Sequence, residues 1–163
     1  MQFSEHFKQD EFEKDGPIPS DCVPVFQGLC QKVLEPVRAH VGRQIDILSG
    51  YRPTEANKAA HGAPHSEHMA TSQYCAADFT FATTFGLLIS VRSIFDWIRT
   101  NSAIPWHQCI LEHGANGQSI IHVSYTITPG AVRSALEGAT HNASAYTPWD
   151  CVAYDPRTEQ EIA

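Results

Sequence analysis

The amino-acid sequence predicts an α+β fold in which a small, mostly antiparallel sheet packs against helices. Two segments carry apolar residues at helical spacing, several short segments have strand character, and an Asn-Gly pair separates two of the strands as in a β-hairpin. The order is helix, strand, short helix, loop, strand, helix and hairpin. With 42% hydrophobic and 18% charged residues, residues 1–163 are expected to form a single domain.

The N-terminal part of the chain combines an aromatic arm with a long helix. The first 20 residues place three phenylalanines among charges, and we expect these rings to pack onto the domain. A helical pattern then runs from Asp21, a suitable N-cap, to Gly42, a suitable stop. Pro36 lies inside this pattern. Because a proline has no N–H to donate, a kink or a break is expected there.

The rest of the chain predicts shorter elements, of which the most regular is a second helix over residues 84–100. The others are a strand at 44–49, a helix at 54–60 capped by Thr54, a loop at 61–74, and strands at 75–81, 107–113 and 119–126. The sequence from residue 129 onward has no clear period, so no element is predicted there.

Composition argues against several classes of function. A formal net charge of −7 disfavours nucleic acid and anionic membrane surfaces, because polyanions repel an acidic protein. The N-terminus shows no basic segment followed by an apolar run, and no stretch of about 18 apolar residues occurs. We expect a protein that is made in the cytoplasm, does not insert into membranes and is a monomer. Its five cysteines have no CxxC spacing, so reduced thiols are expected.

Residues 49–78 concentrate polar side chains of the kind found in active sites: an arginine, a serine, a histidine and an aspartate, with turn residues between them. Taken singly, a loop histidine such as His68 is more often solvated, and a strand histidine such as His122 is often satisfied by a backbone carbonyl. Strand alternation, however, can turn His122 to one face while its apolar neighbours enter the core. With Asp78, two histidines make a zinc site that leaves one position open, the pattern of catalytic rather than structural sites.

Five short motifs resemble, in order, those of the M15 zinc peptidases. They are Ser-Gly-Tyr-Arg-Pro at 49–53, Ser-x-His at 66–68, Ala-Ala-Asp-Phe at 76–79, Gln-x-x-x-Glu at 108–112 and Ile-His-Val-Ser at 121–124. That family includes D-Ala-D-Ala carboxypeptidases and dipeptidases, phage L-alanyl-D-glutamate endolysins and the related zinc domain of hedgehog signalling proteins. The resemblance covers about residues 3–126, which leaves 127–163 as a C-terminal extension.

The resemblance implies a zinc peptidase with one Zn²⁺ on the open face of the sheet. His68, Asp78 and His122 would hold the metal, and Arg52 and Ser66 would bind the substrate. The implied substrate is a peptidoglycan stem peptide or another peptide that contains D-amino acids, and a protein acting on the cell wall would have to be released or delivered by a phage. Two simpler roles stay open, since Arg52 can tie the loop to the sheet and Ser66 can cap a turn.

A general base is also needed, and Glu112 is the best candidate for it. It lies on the strand that pairs with the strand of His122, although a shift of one residue in register would turn it to the other face. Many M15 enzymes have an acidic residue three positions before the last histidine, where this chain has Ser119. Glu67, beside His68, is a poorer alternative and is interpreted as a solvated loop residue.

The chain departs from the family pattern between the first two ligands. The usual aspartate follows the histidine by seven positions with a glycine between them, whereas Asp78 follows His68 by ten with no glycine. Added loop residues cost little entropy, so the ligands are still expected to converge. The pocket rim is expected to differ, with Met69 or Tyr74 over the site. Cys75 is expected to be buried, with soft ligation as the alternative.

Two non-enzymatic functions fit the same residues. One is a zinc-binding module that has lost proton transfer, which the serine at the usual acidic position permits. The other is a structural component of a phage particle or secretion apparatus that binds cell-wall peptide without turnover.

Overall fold

A computed structural model describes residues 1–81, 90–139 and 145–154, and in these ranges the chain forms a six-stranded sheet with helices on one face. The strands are β1 (Asp46–Ser49), β2 (Tyr74–Thr80), β3 (Trp106–His113), β4 (Ser119–Thr126), β5 (Ser134–Ala139) and β6 (Thr147–Trp149). Their order is β1-β2-β4-β3-β5-β6, and every pair is antiparallel except β3 with β5. The predicted α+β class is confirmed.

The long N-terminal helix contains the predicted irregularity at its proline. It consists of α1 (Val23–Leu29), a π turn (Cys30–Leu34) and α2 (Glu35–Val41). Pro36 lies in the first turn of α2, where its missing N–H is least costly, and the turn before it widens so that the Glu35 N–H bonds to the Cys30 carbonyl. Gly42 ends the helix with φ of 72°, whereas the N-cap is Cys22 rather than Asp21.

The other two helices are shorter than predicted. The first, α3 (Thr54–Ala59), follows Pro53 as its N-cap and has no side-chain cap, so the predicted capping by Thr54 is wrong. The second, α4 (Val91–Thr100), starts at Ser90, whose extended backbone and hydroxyl cap the first turn. A continuous helix over 84–100 is therefore wrong at Ser90, and its predicted beginning at 84–89 lies outside the described residues.

The two faces of the sheet differ in burial, and this difference decides where a site can form. One face lies under the helices, and its side chains are almost completely buried: Cys75, Ala77, Phe79, Cys109, Leu111, Ile121 and Val123. The N-terminal arm adds Phe3, Phe7 and Phe12, which are 2%, 1% and 0% exposed. Phe3 and Phe12 pack against Phe26, and Phe7 packs against Phe12. This confirms the predicted packing of the arm and leaves the opposite face of the sheet open for a pocket.

Strands β5 and β6 extend the sheet where no element was predicted. Of the six β5 residues only Ala135 is buried, and all three β6 residues are exposed. Such strands are held by backbone pairing rather than by an alternating apolar face, so hydrophobic period gives no signal for them. None of the helices in the described ranges has the length and apolar character to cross a bilayer.

Candidate metal centre

Strand register and one short turn bring the three predicted metal ligands together. On the open face of the sheet, Asp78 of β2 stands directly opposite His122 of β4. His68 reaches them from the 3₁₀ turn Glu67–Met69, whose first N–H groups are capped by the Ser66 hydroxyl, which accepts from the His68 N–H at 3.4 Å. Ser66 thus caps a turn, the simpler of its two predicted roles.

The ligand atoms lie at distances suited to one small cation. His68 Nε2 is 3.0 Å from Asp78 Oδ1 and 3.1 Å from His122 Nδ1, and the latter two atoms are 2.8 Å apart. Tetrahedral bonds of about 2.0–2.1 Å separate ligand atoms by about 3.3 Å, so a zinc ion requires only a small expansion of the cluster. Among the residues described, these three are the one group of at least three His, Cys, Asp or Glu side chains that meets such a spacing.

Hydrogen bonding fixes which nitrogen of His68 points at its partners. Its Nδ1 lies 2.7 Å from the carbonyl oxygen of Gly50, and because a carbonyl can only accept, Nδ1 carries the proton. Nε2 of the neutral ring therefore presents a lone pair. The N–H of Arg52 bonds to the His68 carbonyl at 2.9 Å, so residues 50–52 hold the turn at two points. This is the support that a ligating histidine usually has.

The convergence of these groups leaves an excess of electron pairs. His68 Nε2 and Asp78 Oδ1 both present lone pairs, and a single proton on His122 Nδ1 is all that can lie between the three. Burial would raise the pKa of Asp78, but the charge of a protonated His68 and the hydrogen bonds that protonated imidazoles donate outweigh it and hold that pKa well below its usual range. Two histidines and a permanent carboxylate in a buried cluster form a donor set that fits a divalent metal ion.

The family comparison agrees with this geometry. A model of the family Peptidase M15 matches residues 5–104, which is more than half of the chain. The chain belongs to the Peptidase M15 family. The matched part includes His68 and Asp78, whereas His122 lies beyond it and is placed by the sheet register. No curated protein and no solved structure matched the chain.

In this member of the M15 family, Arg52 contacts one of the three candidate metal ligands. Arg52 Nη2 donates to Ser49 Oγ at 2.8 Å and lies 3.3 Å from Asp78 Oδ2, the carboxylate oxygen that faces away from the histidines. Asp15 approaches its Nε at 3.7 Å. The guanidinium therefore ties the strand end to Asp78, and it also lines the pocket.

Glu112 lies on the same open face as the ligands. It pairs with Ile120, two residues from His122 on β4, so the two side chains are diagonal neighbours. The register that could have turned Glu112 to the core is excluded. Ser119, by contrast, is three positions from His122 and so faces the other side of β4, where its hydroxyl contacts His113 Nδ1 at 3.0 Å. A serine there takes no part in the site.

Glu67 is not the solvated loop residue that the sequence suggested. Its side chain is 16% exposed, and Oε1 bonds to His107 Nδ1 at 2.8 Å. Burial would raise the pKa of Glu67, but hydrogen bonds from His107 and Ser124 lower it below its ordinary value. The carboxylate lines the same pocket as Glu112, yet one of its oxygens is occupied by a histidine.

The pocket of this M15 peptidase has a volume of about 580 Å³. Its rim is formed by the segment that precedes the first ligand, residues 61–67, together with Leu136 and Tyr146 from the C-terminal part of the chain. Met69 and Tyr74, which were expected over the site, do not line it. Cys75 is fully buried on the helix-covered face, as expected, and cannot act as a soft ligand.

One pocket residue escaped sequence reasoning altogether. Tyr146 precedes β6 in a region without hydrophobic period, and its hydroxyl donates to Glu112 Oε1 at 2.6 Å. Nothing near it in the sequence signals this contact, because the partner lies 34 residues earlier.

Proposed function

We propose that this M15 protein is a zinc-dependent peptidase that hydrolyses peptidoglycan stem peptides or other peptides containing D-amino acids. The observation that carries the proposal is the convergence of His68, Asp78 and His122 within 3.1 Å of one another on the sheet face that also presents Glu112. The substrate class follows from the resemblance to carboxypeptidases and endolysins. A pocket of about 580 Å³ falls in the size range of small-ligand sites and accommodates a short peptide.

The chain's own residues divide the work of hydrolysis. A zinc ion held by the two histidines and Asp78 would supply Lewis acidity and make water a better nucleophile at neutral pH. Glu112 takes a proton from the water while the oxygen of that water attacks the scissile carbonyl carbon. It then passes that proton to the amine nitrogen as the C–N bond breaks, so the carboxylate is regenerated.

In addition to holding Asp78, Arg52 is proposed to orient the substrate. Its Nη2 and Nε face protein oxygens, whereas Nη1 has no acceptor among the described residues. That donor can bind a peptide carbonyl or a terminal carboxylate next to the metal centre. Ser66, whose hydroxyl oxygen accepts from the turn, keeps its own O–H to donate to a substrate carbonyl.

Metal analysis and product analysis test the proposal together. Purified protein is expected to contain about one zinc per chain, which is lost in His68→Ala. Digests of peptidoglycan fragments by wild type should show, in mass spectra, the bond that is cleaved. Glu112→Gln should keep the zinc and lose activity by at least about 100-fold, while Glu55→Gln, an exposed control on α3, should behave as wild type.

The non-catalytic alternatives predict a different result. A zinc-binding module or a structural component would bind zinc and retain wall fragments without producing cleaved peptides. Zinc in the wild-type protein together with no product from any fragment would overturn the peptidase proposal and favour these alternatives. Absence of zinc at His68, Asp78 and His122 would overturn the zinc peptidase and the zinc-binding module, and would leave the structural component.

A further inference from the structure

The C-terminal part of the chain contributes one tyrosine, Tyr146, to the pocket, and its ring packs against Gly138. Gly138 of β5 pairs with Glu112 of β3, so the two residues are nearest neighbours across the strands. A Cβ on Gly138 would lie 2.2 Å from Cδ1 of Tyr146, far closer than two non-bonded carbons can approach. The tyrosine ring therefore occupies the space that a side chain on Gly138 would fill.

This packing places the Tyr146 hydroxyl within hydrogen-bonding distance of Glu112, the proposed base. With its ring over Gly138, Tyr146 directs its hydroxyl to Glu112 Oε1 at 2.6 Å, the short distance of a hydrogen bond to a carboxylate. Within the described ranges no residue hydrogen-bonds to Glu112 Oε2. One carboxylate oxygen is thus anchored and the other is left without a protein donor in those ranges, while the Glu112 side chain lines the same pocket as the metal ligands.

From this geometry we infer that Tyr146 is a positioning residue for Glu112, supplied by the part of the chain beyond the family match. It fixes the rotamer of the carboxylate so that Oε2 addresses the attacking water. The inference rests on the proposed function, because it assigns Glu112 the role of general base.

The contact itself is tested first, in metal-free protein. Tyr146→Phe removes only the hydroxyl, and we expect it to lower Tm by about 2–4 °C. In the Glu112→Ala background the same change should have almost no effect, because the acceptor is already gone. Tyr74→Phe, a tyrosine outside the pocket, should give the same small shift in both backgrounds. Equal losses for Tyr146→Phe with and without Glu112 would refute the contact.

The positioning role is tested on peptidoglycan fragments. Tyr146→Phe should lower kcat by about tenfold with KM within about twofold, since ground-state binding does not use the hydroxyl. Gly138→Ala, which leaves Tyr146 in the chain but displaces its ring, should give a similar loss. In Glu112→Ala, Tyr146→Phe should cause no further loss of the residual rate.

The outcomes separate the two proposals. If wild type cleaves the fragments but Tyr146→Phe and Gly138→Ala retain full kcat, the role of Tyr146 is wrong and the peptidase stands. A rise in KM at constant kcat would make Tyr146 a substrate-binding group and also refute positioning. If wild type cleaves nothing, the proposed function fails, and the role of Tyr146 fails with it.

Discussion

Substitution of Gly50 by alanine should damage the fold and the metal centre together. A Cβ at this position would lie 2.6 Å from three atoms of Phe12, two of which belong to its backbone, so rotation of a side chain cannot relieve the clash. Phe12 is 0% exposed, and its carbonyl accepts the Tyr51 N–H at 2.8 Å. Overpacking of a closed core costs about 1–3 kcal/mol, which corresponds to a loss in Tm of roughly 2–12 °C.

The effect on the metal arises because the same residue supports a ligand. The Gly50 carbonyl accepts the proton of His68 Nδ1 at 2.7 Å, and loss of such a support lowers metal affinity by about 10–100-fold. Calorimetry of metal-free protein gives the change in Tm, and competition with a chromogenic chelator gives the zinc affinity.

Gly114→Ala is the matched control for this substitution. Its Cβ would meet the Asn116 side-chain oxygen at 2.9 Å and the Gln118 carbonyl oxygen at 3.2 Å; both residues are exposed on the hairpin turn, where a shift of a few tenths of an ångström relieves the contact. We expect little change in Tm or affinity. A Gly50→Ala protein as stable as wild type would refute the packing argument. A destabilised protein with unchanged zinc affinity would refute the link between the Gly50 carbonyl and His68.

Three further predictions concern metal removal and two hydrogen-bonded side chains outside the metal centre, those of Glu35 and Arg133. A chelator should lower Tm but leave the far-UV circular dichroism at 25 °C unchanged, whereas unfolding would show that the metal is structural. Burial raises the pKa of Glu35, but hydrogen bonds from Ser4 and His6 outweigh it and lower that pKa. Glu35→Gln should therefore lower the free energy of unfolding by about 1 kcal/mol at pH values above 4.5, the ordinary pKa of a glutamate. In urea titrations at several pH values the difference from wild type should shrink as pH falls below 4.5, and a constant difference would contradict the assignment. Arg133 donates to three backbone carbonyls. A lysine has a single ammonium group and cannot reach all three carbonyls, so Arg133→Lys should lower the free energy of unfolding in urea by about 1–3 kcal/mol. An Arg133→Lys protein as stable as wild type would refute this role of Arg133.

The sequence predicts the elements whose side chains are buried in a regular pattern. The helix before Gly42 follows from apolar spacing, the hairpin of β3 and β4 from its Asn-Gly pair, and the packing of the arm from its three phenylalanines; all are present. Strands β5 and β6 have little buried surface, so their positions depend on backbone pairing with β3, which leaves no periodic trace.

The site, like the fold, has a part that the sequence predicts and a part that depends on packing between distant residues. His68, Asp78 and His122 are recognisable because ligand chemistry restricts residue type, and the structure brings them together. The bond from Arg52 to Asp78 and the burial of Glu67 against His107 depend on side-chain packing. Tyr146 depends on a missing side chain at Gly138, a relation between distant residues that neither position reveals alone.

Hydrophobic burial, rather than attraction between the ligands, holds the metal centre in place. His122 faces the open side of β4 because its neighbours Ile121 and Val123 are both 0% exposed on the other side. A slip of one residue would bring both aliphatic side chains to the open face, at about 1.5–3 kcal/mol each, and would bury the imidazole in the core. The sheet register therefore sets Asp78 beside His122, and residues 50–52 hold the turn that carries His68. Because apolar burial and protein hydrogen bonds position all three ligands, we expect the fold to persist when a chelator removes the metal.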